Sequence, residues 1–189
     1  MSLLCIRPED RPDVLDEMTR EGTRIAALLR TIGVRFERWP ADHALAANSD
    51  PQTILAAYAA ELTRLQRDCG YQTADVVRIV RGTPDTAPMR QKFLNEHRHS
   101  EDEVRFFVEG SGSFYLRAGG RVFQVVCERD DLISVPAETR HWFDMGASPH
   151  FCAIRLFNNI EGWVARFTDD PIAARFPSHD EALALSAGP

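Results

Sequence analysis

The sequence predicts a mainly β protein, an antiparallel jelly-roll barrel preceded by an α-helical N-terminal segment and flanked by helices. Three observations predict it. From Asp75 onward, short apolar runs alternate with period two and are separated by turn residues, the pattern of sandwiches and jelly rolls. Before about residue 70, apolar residues recur at helical spacing instead. The chain has 189 residues, 44% hydrophobic and 26% charged, which suits a single globular domain.

Each element follows from local signals. Val14, Leu15, Met18, Ile25, Leu28 and Leu29 place a helix between Pro12 and Leu29, closed by Gly33. Val34 to Trp39 reads as a short strand. Asp50-Pro51 is an N-cap followed by a proline at the first helical position. Ile54, Leu55, Tyr58, Leu62 and Leu65 give that helix its apolar stripe, and Gly70 ends it. Val76 to Val80 reads as a strand, Thr83 to Pro88 as a loop, and Met89 to Leu94 as a helical turn. Strands are expected at Val104 to Glu109 and Ser113 to Arg117, with a turn at Gly110-Ser111-Gly112 between them. After the turn Ala118-Gly119-Gly120 come Arg121 to Glu128, then Leu132 to Val135, ended by Pro136, and finally His150 to Phe157. The tail from Asp169 ends in a helix. Residues 1–189 are thus expected to form one domain: a helical extension over about 1–70 packed on the barrel, the barrel with its site over about 71–168, and a tail over 169–189.

Composition excludes several function classes. A net charge of −6 supplies no cationic footprint for nucleic acid. No apolar run reaches the roughly 18–20 residues that a membrane-spanning helix needs. The opening residues MSLLCIRPEDRPD lack a basic leader and carry early acids, so no export signal is expected. Cys5, Cys69, Cys127 and Cys152 form no C-x-x-C pair and read as reduced thiols of a cytoplasmic protein.

Three of the six histidines fall into one pattern. His97, His99 and Glu103 make H-x-H-x3-E, and residues 97, 99, 101 and 103 share parity, so an extended segment turns these side chains to one face. A barrel closes that face inward, and His141, five residues after Pro136, can be brought across from a later strand or turn. Three imidazoles and one carboxylate suit a first-row divalent ion such as Fe(II), Ni(II), Co(II) or Mn(II), with two neighbouring positions left for a chelating substrate or dioxygen. Arg105 has the parity of Glu103 and should face the same cavity.

H-x-H-x3-E-x6-G, closed by Gly110, followed by P-x-x-x-x-H from Pro136 to His141, resembles the two metal motifs of the cupin superfamily. Gln91, Asp130 and Glu138 stand where that pattern has glycines, and Met145 where it has asparagine. Phe93-Leu94-Asn95-Glu96-His97-Arg98-His99, the run from Glu101 to Phe106, the run from Val135 to Gly146 and Ala153 to Phe157 resemble one branch, the acireductone dioxygenase family. The resemblance spans essentially the whole chain. It implies a cupin-type jelly-roll barrel, one Fe(II) or Ni(II) ion held by His97, His99, Glu103 and His141, and Arg105 as the residue that stabilises a substrate dianion. It implies that Phe93, Phe143 and Trp163 line an apolar pocket for a methylthio side chain and that Arg155 faces the cavity. Glu96 and Asp102 match positions tied to metal loading and to relaying conformational change.

The implied reaction is cleavage of acireductone (1,2-dihydroxy-3-keto-5-methylthiopentene) by O2 in methionine salvage. Fe(II) would give formate and 4-methylthio-2-oxobutanoate; Ni(II) would give formate, CO and 3-methylthiopropanoate. The implied partners are this small molecule and O2, with no nucleic acid and no membrane, and the expected state is a monomer. Another metal-cupin enzyme, such as a quercetinase-like dioxygenase or a sugar-phosphate isomerase, would use the same four ligands, and a non-catalytic small-molecule-binding cupin is the reading from a different class.

Overall fold

The computed structural model describes residues 1–46, 48–158 and 164–187. In chain order the elements are β1 (Leu3–Pro8), β2 (Glu17–Thr19), α1 (Gly22–Arg30), β3 (Arg35–Arg38), α2 (Pro51–Ala57), α3 (Ala59–Cys69), β4 (Thr73–Ile79), α4 (Thr86–Leu94) and β5 (His97–Arg98). Then come β6 (Glu103–Ala118), β7 (Arg121–Glu128), β8 (Asp131–Val135), β9 (Arg140–Asp144), β10 (Phe151–Phe157), β11 (Arg166–Phe167), a 3-10 turn at Pro171–Arg175 and α5 (His179–Ala187).

The strands form two faces of a jelly roll joined by β6. Its first half pairs antiparallel with β8 and β10. Its second half pairs antiparallel with β7 and β9. The expected turn at Gly110-Ser111-Gly112 is therefore a bend within one strand. Gly110 has φ +65°, and the β6–β10 register shifts between Cys152 and Ala153 beside it. A glycine lets the strand change sheets there without ending.

Residues between the sheets make the main core. Leu4, Ile6, Phe114, Leu116, Val125 and Phe143 from one sheet meet residues such as Phe107, Ile133 and Phe151 from the other. The outer face of the β8–β6–β10–β4 sheet is covered by Ile54 of α2, Leu62 and Leu65 of α3, and Tyr58 between the two helices. The outer face of the other sheet packs Tyr115 and Trp142 beneath Ile172 and Phe176 of the tail.

The first 70 residues, expected to be a helical layer, also contribute strands. β1 lies between β2 and β7 in the sheet. All six of its residues are buried, so it shows no alternation. The helix expected over 12–29 is confined to α1, because β2 takes Glu17–Thr19. Asp50 caps α2, its side chain accepting from the Thr53 amide, and Gly70 ends α3 at φ 77°. Asp130 and Glu138, which replace motif glycines, carry φ 81° and 62°. The backbone keeps the left-handed turns that the glycine pattern serves, and short or flexible polar side chains tolerate them.

Candidate metal centre

Three strands and a loop bring the centre together. β5 carries His97 and pairs with β9 at His97 and His141. Glu103 opens β6 opposite Val135, and Arg105 lies two residues on, opposite Ile133, so both side chains point between the sheets. His99 follows β5 in a loop whose carbonyl accepts from the Glu138 amide. The segment from His97 to Glu103 is therefore not one continuous strand, although its side chains still converge.

Each imidazole is fixed by its backbone. Nδ1 donates to the carbonyl of Asn95 at 2.7 Å in His97, of Val164 at 3.1 Å in His99 and of Thr139 at 2.8 Å in His141. A carbonyl can only accept, so Nδ1 carries the proton and a neutral ring turns its Nε2 lone pair inward. Glu103 Oε2 lies 3.0 Å from His99 Nε2 and 3.1 Å from His141 Nε2. One donor atom from each of His97, His99, Glu103 and His141 lies within 4.8 Å of all the others, and the four residues are buried. Inward lone pairs facing a carboxylate oxygen at this range repel unless a cation sits among them, so the donor set fits a metal ion.

The electrostatics agree with a neutral His97 beside one anion. Burial, reinforced by His141, pulls the His97 ring down to about 4, so it is neutral at physiological pH. Burial alone would raise the Glu103 carboxyl, but the Arg105 guanidinium holds it well below the usual carboxylate range. Arg105 Nε stands 2.9 Å from Glu103 Oε1. Its Cζ lies 4.4 Å from the Phe143 ring centroid, 5.1 Å from that of Phe114 and 5.9 Å from that of Phe93, so aromatic faces surround the cation. Burial pulls its pKa down while Glu103 opposes that.

The other sequence candidates are placed as follows. Phe93 and Phe143 meet edge to face at 6.4 Å beside Arg105. Arg155 is the cross-strand partner of Arg105 and shares its face. Its guanidinium, however, forks onto Asp75 at 2.7 and 2.5 Å. Trp163 lies outside the described residues. Asp102 accepts from the Ala137 amide at 2.9 Å and so ties the loop before Glu103 to the turn before His141.

Glu96 is not in contact with solvent. It is buried, and its carboxylate accepts from Arg117 Nη1 at 3.1 and 3.3 Å and from Thr168 Oγ1 at 2.6 Å. Arg117 also binds Asp170 and Glu9. This network pins the start of β5 to the β11 region, which supplies the Val164 carbonyl to His99. Neither Arg117 nor Thr168 carries any sequence signal for that role, because their contact with Glu96 spans 21 and 72 residues.

Comparison with known proteins bears on the chain as a whole. A family model described as the ARD/ARD' family matches residues 4–165. A protein of Parvibaculum lavamentivorans named acireductone dioxygenase is 57% identical over 180 residues, covering 95% of this chain and 98% of its own. One of Klebsiella pneumoniae with the same name is 56% identical over 177 residues, covering 94% of this chain and 98% of its own. Among solved structures, an acireductone dioxygenase from Bacillus anthracis with a cadmium ion in its active centre superposes with a TM-score of 0.76. It is 29% identical, and the match covers 88% of this chain and 98% of that one.

Proposed function

Because this chain belongs to the ARD/ARD' family, whose relatives above are named acireductone dioxygenase, we propose that it cleaves acireductone with O2 at one Fe(II) or Ni(II) ion. The observation that carries the reading is the set of four buried donors within 4.8 Å of one another, with every histidine Nδ1 tied to a carbonyl. His97, His99, Glu103 and His141 would hold the ion, and the solved relative with cadmium in its active centre supports a metal at such a centre.

When bound, the ion supplies Lewis acidity and a template for two substrate oxygens. The remaining work falls to side chains. Arg105 sets a permanent cation beside the enediol and favours its ionised form. The aromatic faces around Arg105 exclude water and so strengthen that attraction. Phe93 and Phe143, with Trp163 by resemblance, receive the methylthio chain. Arg155 keeps its fork to Asp75 and adds a second positive charge on the Arg105 face. Glu96 and Asp102 secure the backbone that presents the histidines. Fe(II) would yield formate and 4-methylthio-2-oxobutanoate, and Ni(II) would yield formate, CO and 3-methylthiopropanoate. The work would be done by a monomer in the cytoplasm, within methionine salvage. Four unpaired cysteines fit a reducing compartment, and no described helix is long and apolar enough to cross a membrane.

The test is metal analysis of purified protein, followed by oxygen uptake and product analysis after reloading with each metal. His97→Ala should lose both the bound metal and oxygen uptake. Parent-level metal content and uptake in that variant would remove the proposed centre.

A further inference from the structure

Helix α4 carries Phe93 into the wall beside Arg105, yet it has little apolar burial to hold it there. None of its nine residues is buried. Its half-buried residues are Thr86, Arg90, Phe93 and Leu94, spaced i, i+4, i+7 and i+8 on one face. The middle of that face is a cation, not a leucine. Asp85 enters the helix at φ 56°, and no side-chain hydrogen bond caps the N-terminus among the described residues. A cavity of about 340 Å³ lies between Arg90, Gln91 and Leu94 on one side and Tyr115, Trp142 and Phe176 on the other. Leu94 packs on the edge of the Tyr115, Trp142 and Phe176 cluster, so apolar contact along this side is confined to the last residue of the helix and the Arg90 turn stands over the cavity.

One polar contact spans the gap. Arg90 Nε and Nη2 donate to Asp144 Oδ1 and Oδ2 at 2.6 and 2.9 Å. Asp144 is 1% exposed and follows Phe143 directly on β9. It is itself held, because its carboxylate also accepts from the amides of Gly146 at 2.9 Å and His179 at 2.9 Å. A planar guanidinium forked onto an immobilised carboxylate fixes both the distance and the rotation of the helix that carries it.

We propose that Arg90 is a positioning residue for substrate specificity: its fork onto Asp144 sets the register of α4 against β9 and thereby holds Phe93 against Phe143. This rests on the reading of Phe93 as a contact for the substrate's methylthio chain. The fork lies on the far side of β9 from the histidines and touches no metal donor. Its loss should loosen the wall and leave the ion in place.

The experiment compares Arg90→Met, Arg90→Lys and Phe93→Ala in the metal-loaded enzyme. It measures metal content, kcat and KM for acireductone and for an analogue with a shortened side chain. Phe93→Ala and Arg90→Met should both raise KM for acireductone by about tenfold, the scale of one lost pocket contact, and shrink the preference over the short analogue. Metal content should be unchanged and kcat nearly so. Arg90→Lys, which keeps the charge and loses the fork, should fall between the parent and Arg90→Met, and it carries the test if Arg90→Met does not fold. A KM that moves with Phe93→Ala but not with either Arg90 variant overturns the proposal and leaves the Phe93 reading intact. If no variant moves KM, both fall. Loss of metal in the Arg90 variants would also overturn the proposal, since the fork would then support the centre and not the wall.

Discussion

Gly110→Ala offers a demanding check on how β6 passes from one sheet to the other. A Cβ at Gly110 would stand 1.8 Å from the His150 carbonyl oxygen, 2.6 Å from its carbon and 2.8 Å from Phe151 Cα. All three are backbone atoms, so no side-chain rotation relieves the overlap. Ordinary contact needs about 3.5 Å, so the β6 and β10 backbones would have to part by more than about 1 Å. Gly110 also sits at φ +65°, where an alanine is strained regardless of space. The backbone strain and the overpacking together should cost about 2–5 kcal/mol. For a chain of this size that lowers Tm by roughly 10 °C. Gly120→Ala is the matched control: φ is +73° and nothing lies within 4 Å of the added carbon, so only the backbone part applies. Both variants are melted by circular dichroism after chelation, so that metal binding does not enter the comparison. If Gly110→Ala melts no lower than Gly120→Ala, the close approach of β10 to the bend is not what requires glycine there, and the reasoning is refuted.

Two further outcomes follow from the buried charges. Arg105→Met should keep its metal while kcat/KM falls by about 100-fold, the scale of one lost transition-state charge contact; turnover within twofold of the parent would exclude a role for that cation. The second concerns Asp131, which burial pushes up from 3.8 to about 6 despite the Ser2 hydroxyl, the Glu128 amide and Arg38 beside it. The folded state then holds this proton more tightly than the unfolded chain. Its contribution is complete below about pH 4 and is lost as pH rises through about 6, a loss on the order of 3 kcal/mol. Urea midpoints of Asp131→Asn relative to the parent should therefore improve between pH 4 and pH 7, and a difference that stays flat with pH would contradict the assignment.

Signals that depend only on neighbours in the chain were legible. Asp50-Pro51 caps α2, Gly70 ends α3, and β7 occupies the span read between the Gly119-Gly120 turn and the charged residues after Glu128, because caps and turns are local patterns. β1 was not legible, since a central strand buried on both faces has no alternation to read. β9 was hidden for a related reason: four of its five residues are buried, and it follows directly on the turn containing Glu138. Glycine and serine at 110–112 signal a chain reversal and a bend alike, and only the partners of the strand distinguish them.

By itself, the chain determined which side chains could be ligands. Two histidines and a glutamate at fixed spacing, and a histidine after a proline, are properties of covalent order, and so is the parity that aims Arg105 with Glu103. Tertiary structure alone decided what those side chains meet. Glu96 became a buried anion because β6 brings Arg117 to it, Arg155 turned to Asp75 because of the β10–β4 register, and Arg90 found Asp144 across 54 residues. Such pairings are set by packing between distant segments, where the energy of a charge depends on its surroundings and not on its place in the chain.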